Sequence, residues 1–430
     1  MRAAYYTLGC KVNQYETNAM QELLETAGYE TVSFEEAADV YIINTCTVTA
    51  VADKKSRQMI RRATERKKQE GLVLVAGCFA QRDEAAVLAI EGVDIVIGSS
   101  KKGEIVALLA AAHQAKKERQ NFVEDIANVR SIETLQISRS GERIRANVKI
   151  CDGCDNYCSY CIIPYVRGPV RSRHLQDIVE EVERLVANDV KEVVLTGIHA
   201  SSYGKDLEEG AFLDVLSAID KIRGLSRIRL SSLEPSLLTD DFCMQASRLK
   251  KLCPHFHVSL QSGSDGVLKR MSRRYTTETY AEYIGNLRKH FEQPAIATDI
   301  IAGFQGESEE EHQETLAFAK KMQFSSMHIF PYSKRTGTRA ASMPGDIANA
   351  VKKKRVAELM ALGEEMKVAY QESFIGKECN VLFEHAYDEK NMIGYTERYV
   401  LVVAPAEIGE IVTVRCISRN RDVLIGEKQK

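Results

Sequence analysis

The pattern of apolar and polar positions changes character twice along the chain. In the N-terminal part, β-type apolar runs at residues 3–8, 40–44, 72–76 and 95–97 alternate with helical stretches at 18–27 and 52–69. Strands joined through helices predict an α/β segment with an open parallel sheet covered on both faces. Residues 113–143 are polar and weakly patterned, which predicts a linker or connecting extension. Six further apolar runs follow at 145–150, 193–196, 227–231, 255–259, 297–302 and 327–331. Helical patterns such as 177–187, 277–289 and 308–322 separate them, so six βα units predict an incomplete (β/α)6 parallel barrel. A helix over 347–372 closes that unit. From residue 374 the runs become short and alternating, at 379–384, 399–403 and 411–417, with Gly394 and Gly409 at turns. A small all-β barrel is predicted there. The expected organisation is 1–112, 113–143, 144–373 and 374–430.

Charge narrows the possible partners. The 430 residues carry 58 Lys+Arg against 60 Asp+Glu, so the chain is no polycation and any nucleic-acid contact must be a local patch. No apolar run approaches the roughly 20 residues of a membrane span. The N-terminus, MRAAYYTLGCKVNQYET, lacks a signal-peptide core. A cytoplasmic protein without a membrane is expected, and disulfides are rare there. Its 11 cysteines then require metal, catalysis or quiet burial as an explanation.

Cys154, Cys158 and Cys161 form C-x3-C-x2-C within GCDNYCSYCIIP, directly after the first predicted barrel strand. Three thiolates hold three corners of a 4Fe–4S cluster and leave one iron open. Barrels of this kind build active sites at that rim. Cys151 extends the run to two CxxC pairs, which brings in zinc; structural thiols are the third possibility. Zinc ribbons, however, separate such pairs by about 15–20 residues. Cys10, Cys46 and Cys78 make a second set. Each lies two residues beyond a predicted strand, so a parallel sheet brings all three to one edge. That is either another three-thiolate metal site or three buried small apolar residues. Cys243, Cys253, Cys379 and Cys416 are scattered and read as structural thiols.

With these cysteines on the page, the chain resembles the radical S-adenosylmethionine (SAM) methylthiotransferases over essentially its whole length. The motifs are TLGCKVNQYET, NTCTVT, AGCFAQ, GCDNYCSYCIIPYVRGPVRSR, LTGIHASSYG, RIRLSSLEP, LQSGSDGVLKRMSRRYTTE, TDIIAGFQGE and FPYSKRTGTRAAS. It is most similar to the branch acting on N6-threonylcarbamoyladenosine in tRNA, and the C-terminal segment resembles the TRAM RNA-binding barrel. It departs from the family pattern at Cys151, Ser259 and Gln305. The resemblance implies two 4Fe–4S clusters and SAM as cofactors. Cys154, Cys158 and Cys161 would hold the cluster that cleaves SAM to a 5′-deoxyadenosyl radical. Cys10, Cys46 and Cys78 would hold an auxiliary cluster that presents sulfur. The product would carry a methylthio group on carbon 2 of the modified adenine next to the anticodon. Such chemistry suits an unactivated C–H bond, which offers a general base no easy proton. An electron donor of flavodoxin or ferredoxin type and a sulfur donor are implied as partners, beside tRNA.

Tyr160, between two ligands, is expected near the SAM adenine or as a structural aromatic. Ser231, Glu234, Gln261 and Asp299 sit at predicted strand ends on the active rim, where they contact SAM or substrate or make ordinary loop hydrogen bonds. Residues 52–70 hold eight Lys/Arg against three Asp/Glu, with Lys54, Arg57, Arg61 and Lys68 on one helical face. That face either holds RNA phosphates or is simply solvated. Arg167, Arg171 and Arg173, Arg270, Arg273 and Arg274, and Arg415, Arg419 and Arg421 are further basic groups. Three alternatives stay open: methylthiolation of isopentenyladenosine in tRNA, methylthiolation of a ribosomal-protein aspartate, and a non-catalytic iron–sulfur RNA-binding or redox-sensing protein.

Overall fold

The fold is taken from a computed structural model, which describes residues 1–114, 118–139, 144–208 and 210–428. Parts of the predicted connecting segment (115–117 and 140–143) and of the C-terminal segment (429–430) therefore lie outside the described residues.

The N-terminal unit is a six-stranded sheet of β1 (Arg2–Thr7), β2 (Glu30–Val32), β3 (Val40–Thr45), β4 (Leu72–Gly77), β5 (Ile95–Val96) and β6 (Gln120–Asn121). Its order is β2-β1-β3-β4-β5-β6, and every pairing is parallel. Every residue of β3 and β4 is buried, as expected of central strands covered on both faces. Tyr41, Ile43 and Val75 face one core; Ile42, Leu74 and Ala76 face the other. Two elements begin earlier than their apolar pattern suggests. The first helix spans Lys11–Thr26 and starts directly after Cys10. The second, Ala50–Arg66, starts where the Thr49 side chain accepts from the Ala52 N–H.

The central unit contains β7 (Arg145–Asp152), β8 (Arg171–Ser172), β9 (Glu192–Gly197), β10 (Arg227–Leu230), β11 (Ser232–Leu233), β12 (His255–Val258), β13 (Ala295–Ala302) and β14 (Ser326–Pro331). They form two four-stranded sheets, β10-β9-β7-β8 and β11-β12-β13-β14. A parallel bridge from Ile228 to Leu252 joins the two into an open arc. Only β8 is antiparallel, returning against the end of β7 just beyond the cysteine loop. The expected six-unit incomplete barrel is therefore present, with a break in its hydrogen bonding after β10. The helix Lys11–Thr26 packs against β7 and β9, and Tyr15 donates to Glu181 at 2.8 Å in the barrel core.

Residues 113–143 are more than a tether. β6 completes the N-terminal sheet, and Leu135 and Ile137 are buried in the central core. The segment is polar because few of its side chains are needed for either task. After the helix Asn349–Glu372, the closed barrel β15-β16-β17-β19-β18 consists of β15 (Glu378–Ala386), β16 (Met392–Thr396), β17 (Leu401–Ala404), β18 (Ile411–Asn420) and β19 (Val423–Lys428). Two buried arginines of β10 dock it to the arc. Arg227 donates to the carbonyls of Tyr395 and Asn380, both at 2.8 Å, and Arg229 to that of Glu397 at 2.9 Å. Among the described residues no helix is long and apolar enough to cross a membrane.

Candidate active site

Cys10, Cys46 and Cys78 follow β1, β3 and β4, which are adjacent in the sheet. Thr7 is opposite Asn44, and Asn44 is opposite Ala76, so the three carboxyl ends lie side by side. Two glycines permit the close approach. Gly9 has φ +108°, and a Cβ there would fall 3.0 Å from Cys46 Cβ and 3.2 Å from its sulfur. Gly77 has φ +94°, and a Cβ would meet Asn44 Oδ1 at 2.5 Å. The buried Asn13 side chain ties two of the turns, donating to the carbonyls of Leu8 at 2.8 Å and Thr45 at 3.0 Å. Burial pushes the Cys46 thiol up to about 11, and the neighbouring Cys78 and Cys10 add to the rise. Desolvation raises Cys10 as well, opposed by Arg167. The three sulfurs thus share one electrostatic neighbourhood.

Cys154, Cys158 and Cys161 lie on the loop between β7 and the helix Ile163–Arg167. The Cys161 N–H donates to the Cys158 carbonyl, and the Cys154 N–H to that of Gly168, each at 3.0 Å. Burial raises Cys154 to about 11 and Cys161 to about 12, and repulsion from the other loop cysteines adds to both. Each set therefore offers three soft sulfur donors in one place, the donor chemistry of an iron–sulfur cluster. Thiols held up by desolvation are the groups that a bound cation would convert to thiolates. The residues fit the clusters. Cys151 stands apart: it is buried in β7, its sulfur faces the His199 carbonyl at 3.6 Å, and Gly197 leaves the room for it.

One arginine ties Cys78 to the end of β7, from which the central loop departs. Arg167 is fully buried, and its Nε donates to Cys78 Sγ at 3.2 Å. Its Nη1 reaches Glu16 at 2.5 Å and Asp152 at 3.0 Å, and its Nη2 reaches Asn13 at 2.5 Å. Lys149 joins Glu16 at 2.8 Å and Asp152 at 2.6 Å, and Lys102 lies 3.4 Å from Glu16. Three cations thus face two carboxylates, and the surplus charge lies against Cys78. Burial opposes ionisation of Asp152, but Lys149 and Arg167 overcome it and hold its pKa at about 2. Cys78 also packs with Ile162 and Val166, next to the central loop.

Family comparisons match three stretches of the chain. Residues 2–98 match the uncharacterized protein family UPF0004, 148–319 the radical SAM superfamily, and 372–428 the TRAM domain. The threonylcarbamoyladenosine tRNA methylthiotransferase MtaB of Bacillus subtilis is 43% identical over 424 residues, covering 96% of this chain and 93% of that protein. The chain belongs to the radical SAM tRNA methylthiotransferases. A tRNA-2-methylthio-N(6)-dimethylallyladenosine synthase of Caldicellulosiruptor saccharolyticus is 37% identical, covering 95% of this chain and 86% of that one. Among solved structures, the radical SAM methyltransferase TsrM of Kitasatospora setae has the same fold, with a TM-score of 0.61, 14% identity, and coverage of 79% and 77% of the two chains.

In this methylthiotransferase Tyr160 lies within the central loop and Glu234 is linked to it through Arg273. Tyr160 is packed edge-on to Phe304, with ring centroids 6.4 Å apart, and burial raises its phenol well above the usual value. Glu234 accepts two bonds from Arg273, at 2.7 and 2.8 Å, and Arg273 Nη1 donates to Cys158 Sγ at 3.2 Å. Burial opposes the Glu234 carboxylate, but His199 and Arg273 hold its pKa below the usual range. The Ser231 hydroxyl is buried without a partner among the described residues. Gln261 takes a left-handed φ of +71° while its N–H donates to the Asp299 carbonyl at 2.8 Å. Asp299 lies 3.0 Å from His257 and 3.1 Å from His328. Desolvation opposes its ionisation, but those two histidines keep its pKa well below the ordinary value. The sequence reading missed both histidines and Arg273's link to Cys158.

Several of the basic groups are buried or paired within the protein. Arg167, Arg171 and Arg173 are buried, and Arg173 is bound to Glu181 and to the Lys149 carbonyl. Arg270 pairs with Glu311, and Arg273 with Glu234. Lys68 lies beyond the end of the helix Ala50–Arg66 and pairs with Asp39 at 2.7 Å, so it leaves the expected stripe. Lys54, Arg57 and Arg61 remain on the helix, with Arg57 lying 5.5 Å from the Phe79 ring centroid.

Proposed function

We propose that this enzyme adds a methylthio group to carbon 2 of N6-threonylcarbamoyladenosine next to the anticodon of tRNA. The observation that carries the reading is the presence of two three-thiol sets, one at the adjacent carboxyl ends of β1, β3 and β4 and one on the loop after β7. Cys154, Cys158 and Cys161 hold one 4Fe–4S cluster, and Cys10, Cys46 and Cys78 hold the other. With SAM, these groups supply radical chemistry for an unactivated C–H bond and the sulfur and methyl that replace its hydrogen. Arg273 fixes both Cys158 and Glu234. Ser231, Glu234, Gln261 and Asp299 line the SAM and substrate side, and Ser231 brings an uncommitted hydroxyl. Tyr160 walls that side with Phe304.

The units divide the work as 1–112 for sulfur delivery, 113–143 for connection, 144–373 for SAM and 374–430 for RNA. Lys54, Arg57 and Arg61 add phosphate contacts beside the sulfur site. A flavodoxin- or ferredoxin-like protein provides electrons, a separate donor restores sulfur, and the enzyme works in the cytoplasm. The test is mass analysis of tRNA nucleosides from cells with and without the protein. The 2-methylthio derivative of threonylcarbamoyladenosine should vanish with the protein. Loss of the isopentenyladenosine derivative instead, or of neither, would overturn the assignment.

A further inference from the structure

A cavity of about 1030 Å³ opens between the helix Lys11–Thr26, the inner face of β7, β9 and β10, and the C-terminal barrel. It is large enough for a nucleoside. Its helical wall is polar in a regular way. Lys11, Gln14, Asn18 and Gln21 recur at helical spacing and present an ammonium followed by three amides, with Glu22, bonded by the Ser138 N–H, and Glu25, paired with Arg139, at the far end of the same wall. The opposite wall carries Tyr399, stacked on Tyr395 with centroids 4.2 Å apart and the rings 10° from parallel. The Arg229 guanidinium lies 4.8 Å from the Tyr399 ring centroid.

The charges of this cavity are not equally committed. Arg229 is held by Glu192 at 2.8 and 3.1 Å, Arg145 by Glu384 at 3.1 Å, and Arg139 by Glu25. Among the described residues no carboxylate pairs with Lys11, although it opens onto the same space. Lys11 is also the next residue after Cys10, so a group it holds stays within reach of the N-terminal cysteine set.

We propose that Lys11 is the specificity-determining contact for the carboxylate of the threonylcarbamoyl group, beside the amides of Gln14 and Asn18, where Gln14 donates to Asn18 at 2.8 Å. The inference rests on the function proposed above and deepens it. An isopentenyl group is apolar and uncharged; it would leave the ammonium facing a hydrocarbon. A carboxylate at the same place forms a charge-assisted hydrogen bond. The binding preference therefore originates in one residue at the start of the first helix.

The test uses anticodon stem-loop RNAs that differ only at the N6 group: threonylcarbamoyl, its neutral carboxamide, isopentenyl or hydrogen. Equilibrium binding is measured with the reconstituted full-length enzyme and with its Lys11→Gln variant. The wild type should bind the carboxylate RNA about tenfold more tightly than the carboxamide RNA. Lys11→Gln should lose that preference while its affinity for the unmodified RNA stays unchanged. The carboxamide comparison needs only wild-type protein, so it stands even if the variant fails to fold. Equal wild-type binding of carboxylate and carboxamide would overturn the proposal. Retained preference in Lys11→Gln, or loss of SAM binding with RNA preference intact, would overturn it as well. Nucleoside mass analysis of the same wild-type reactions separates the two levels. Methylthiolation of threonylcarbamoyladenosine without a Lys11-dependent preference defeats only this contact; its absence defeats the parent assignment.

Discussion

Replacing Arg167 by glutamine should loosen the junction between the N-terminal sheet unit and the end of β7 without unfolding the molecule. The side chain is fully buried and makes bonds to Glu16, Asp152, Asn13 and Cys78. Breaking one side of a buried ion pair costs about 3–5 kcal/mol. Lys149 and Lys102 still face the two carboxylates. The lower end, about 3 kcal/mol, is therefore expected, or roughly a hundredfold change in local opening. Hydrogen exchange read by peptide mass should show that acceleration in Lys11–Thr26 and Ile163–Arg167, with the C-terminal barrel unaffected. Acid sensitivity should change too. The Asp152 pKa of about 2 is depressed, so its contribution is present above the ordinary carboxylate range and is lost as pH falls towards 2. Without Arg167 that pKa rises towards the ordinary value, so the contribution is smaller and its loss is complete at a higher pH. Arg167→Lys should be intermediate, since it keeps the charge but not the fork. Exchange within threefold of wild type in both segments (well short of the roughly hundredfold expected) would refute the junction.

Two further outcomes follow from side chains outside that junction. Cys151→Ser should retain the wild-type iron content of about eight per reconstituted chain, measured by metal analysis, because Cys151 lies in β7 against Gly197; loss of about half the iron would place it among the ligands. Reversing Arg57 and Arg61 to Glu should weaken tRNA binding and flatten its salt dependence, whereas an unchanged salt slope would make that helix face merely solvated.

The grouping of the candidate cysteines was legible in the sequence where one local pattern sufficed. Strand ends place Cys10, Cys46 and Cys78, and a spacing of a few residues places Cys154, Cys158 and Cys161 together. What stayed hidden depends on partners far along the chain. Arg167 looks like a surface cation until Glu16, 151 positions earlier, is folded against it. Lys68 continues a helical stripe on paper, but Lys67 turns extended at ψ 145° and ends the helix. Arg227 and Arg229 belong to a motif beside the site, yet their side chains bind the C-terminal barrel. No local periodicity encodes such contacts. β6 and β8 escaped notice because each is only two residues long and carries no apolar run, whereas the equally short β5 is made of Ile95 and Val96.

The division of labour between the cysteine sets is tested most directly by anaerobic turnover of Cys10→Ala and Cys158→Ala on tRNA carrying threonylcarbamoyladenosine. Cys10 is the better choice for the N-terminal set, because Cys78 supports Arg167. Both 5′-deoxyadenosine and the product nucleoside are read by mass, with the remaining cluster checked spectroscopically. Cys10→Ala should still cleave SAM to 5′-deoxyadenosine and make no methylthio product, and Cys158→Ala should do neither. Full methylthiolation by Cys10→Ala, or SAM cleavage by Cys158→Ala, would contradict the account.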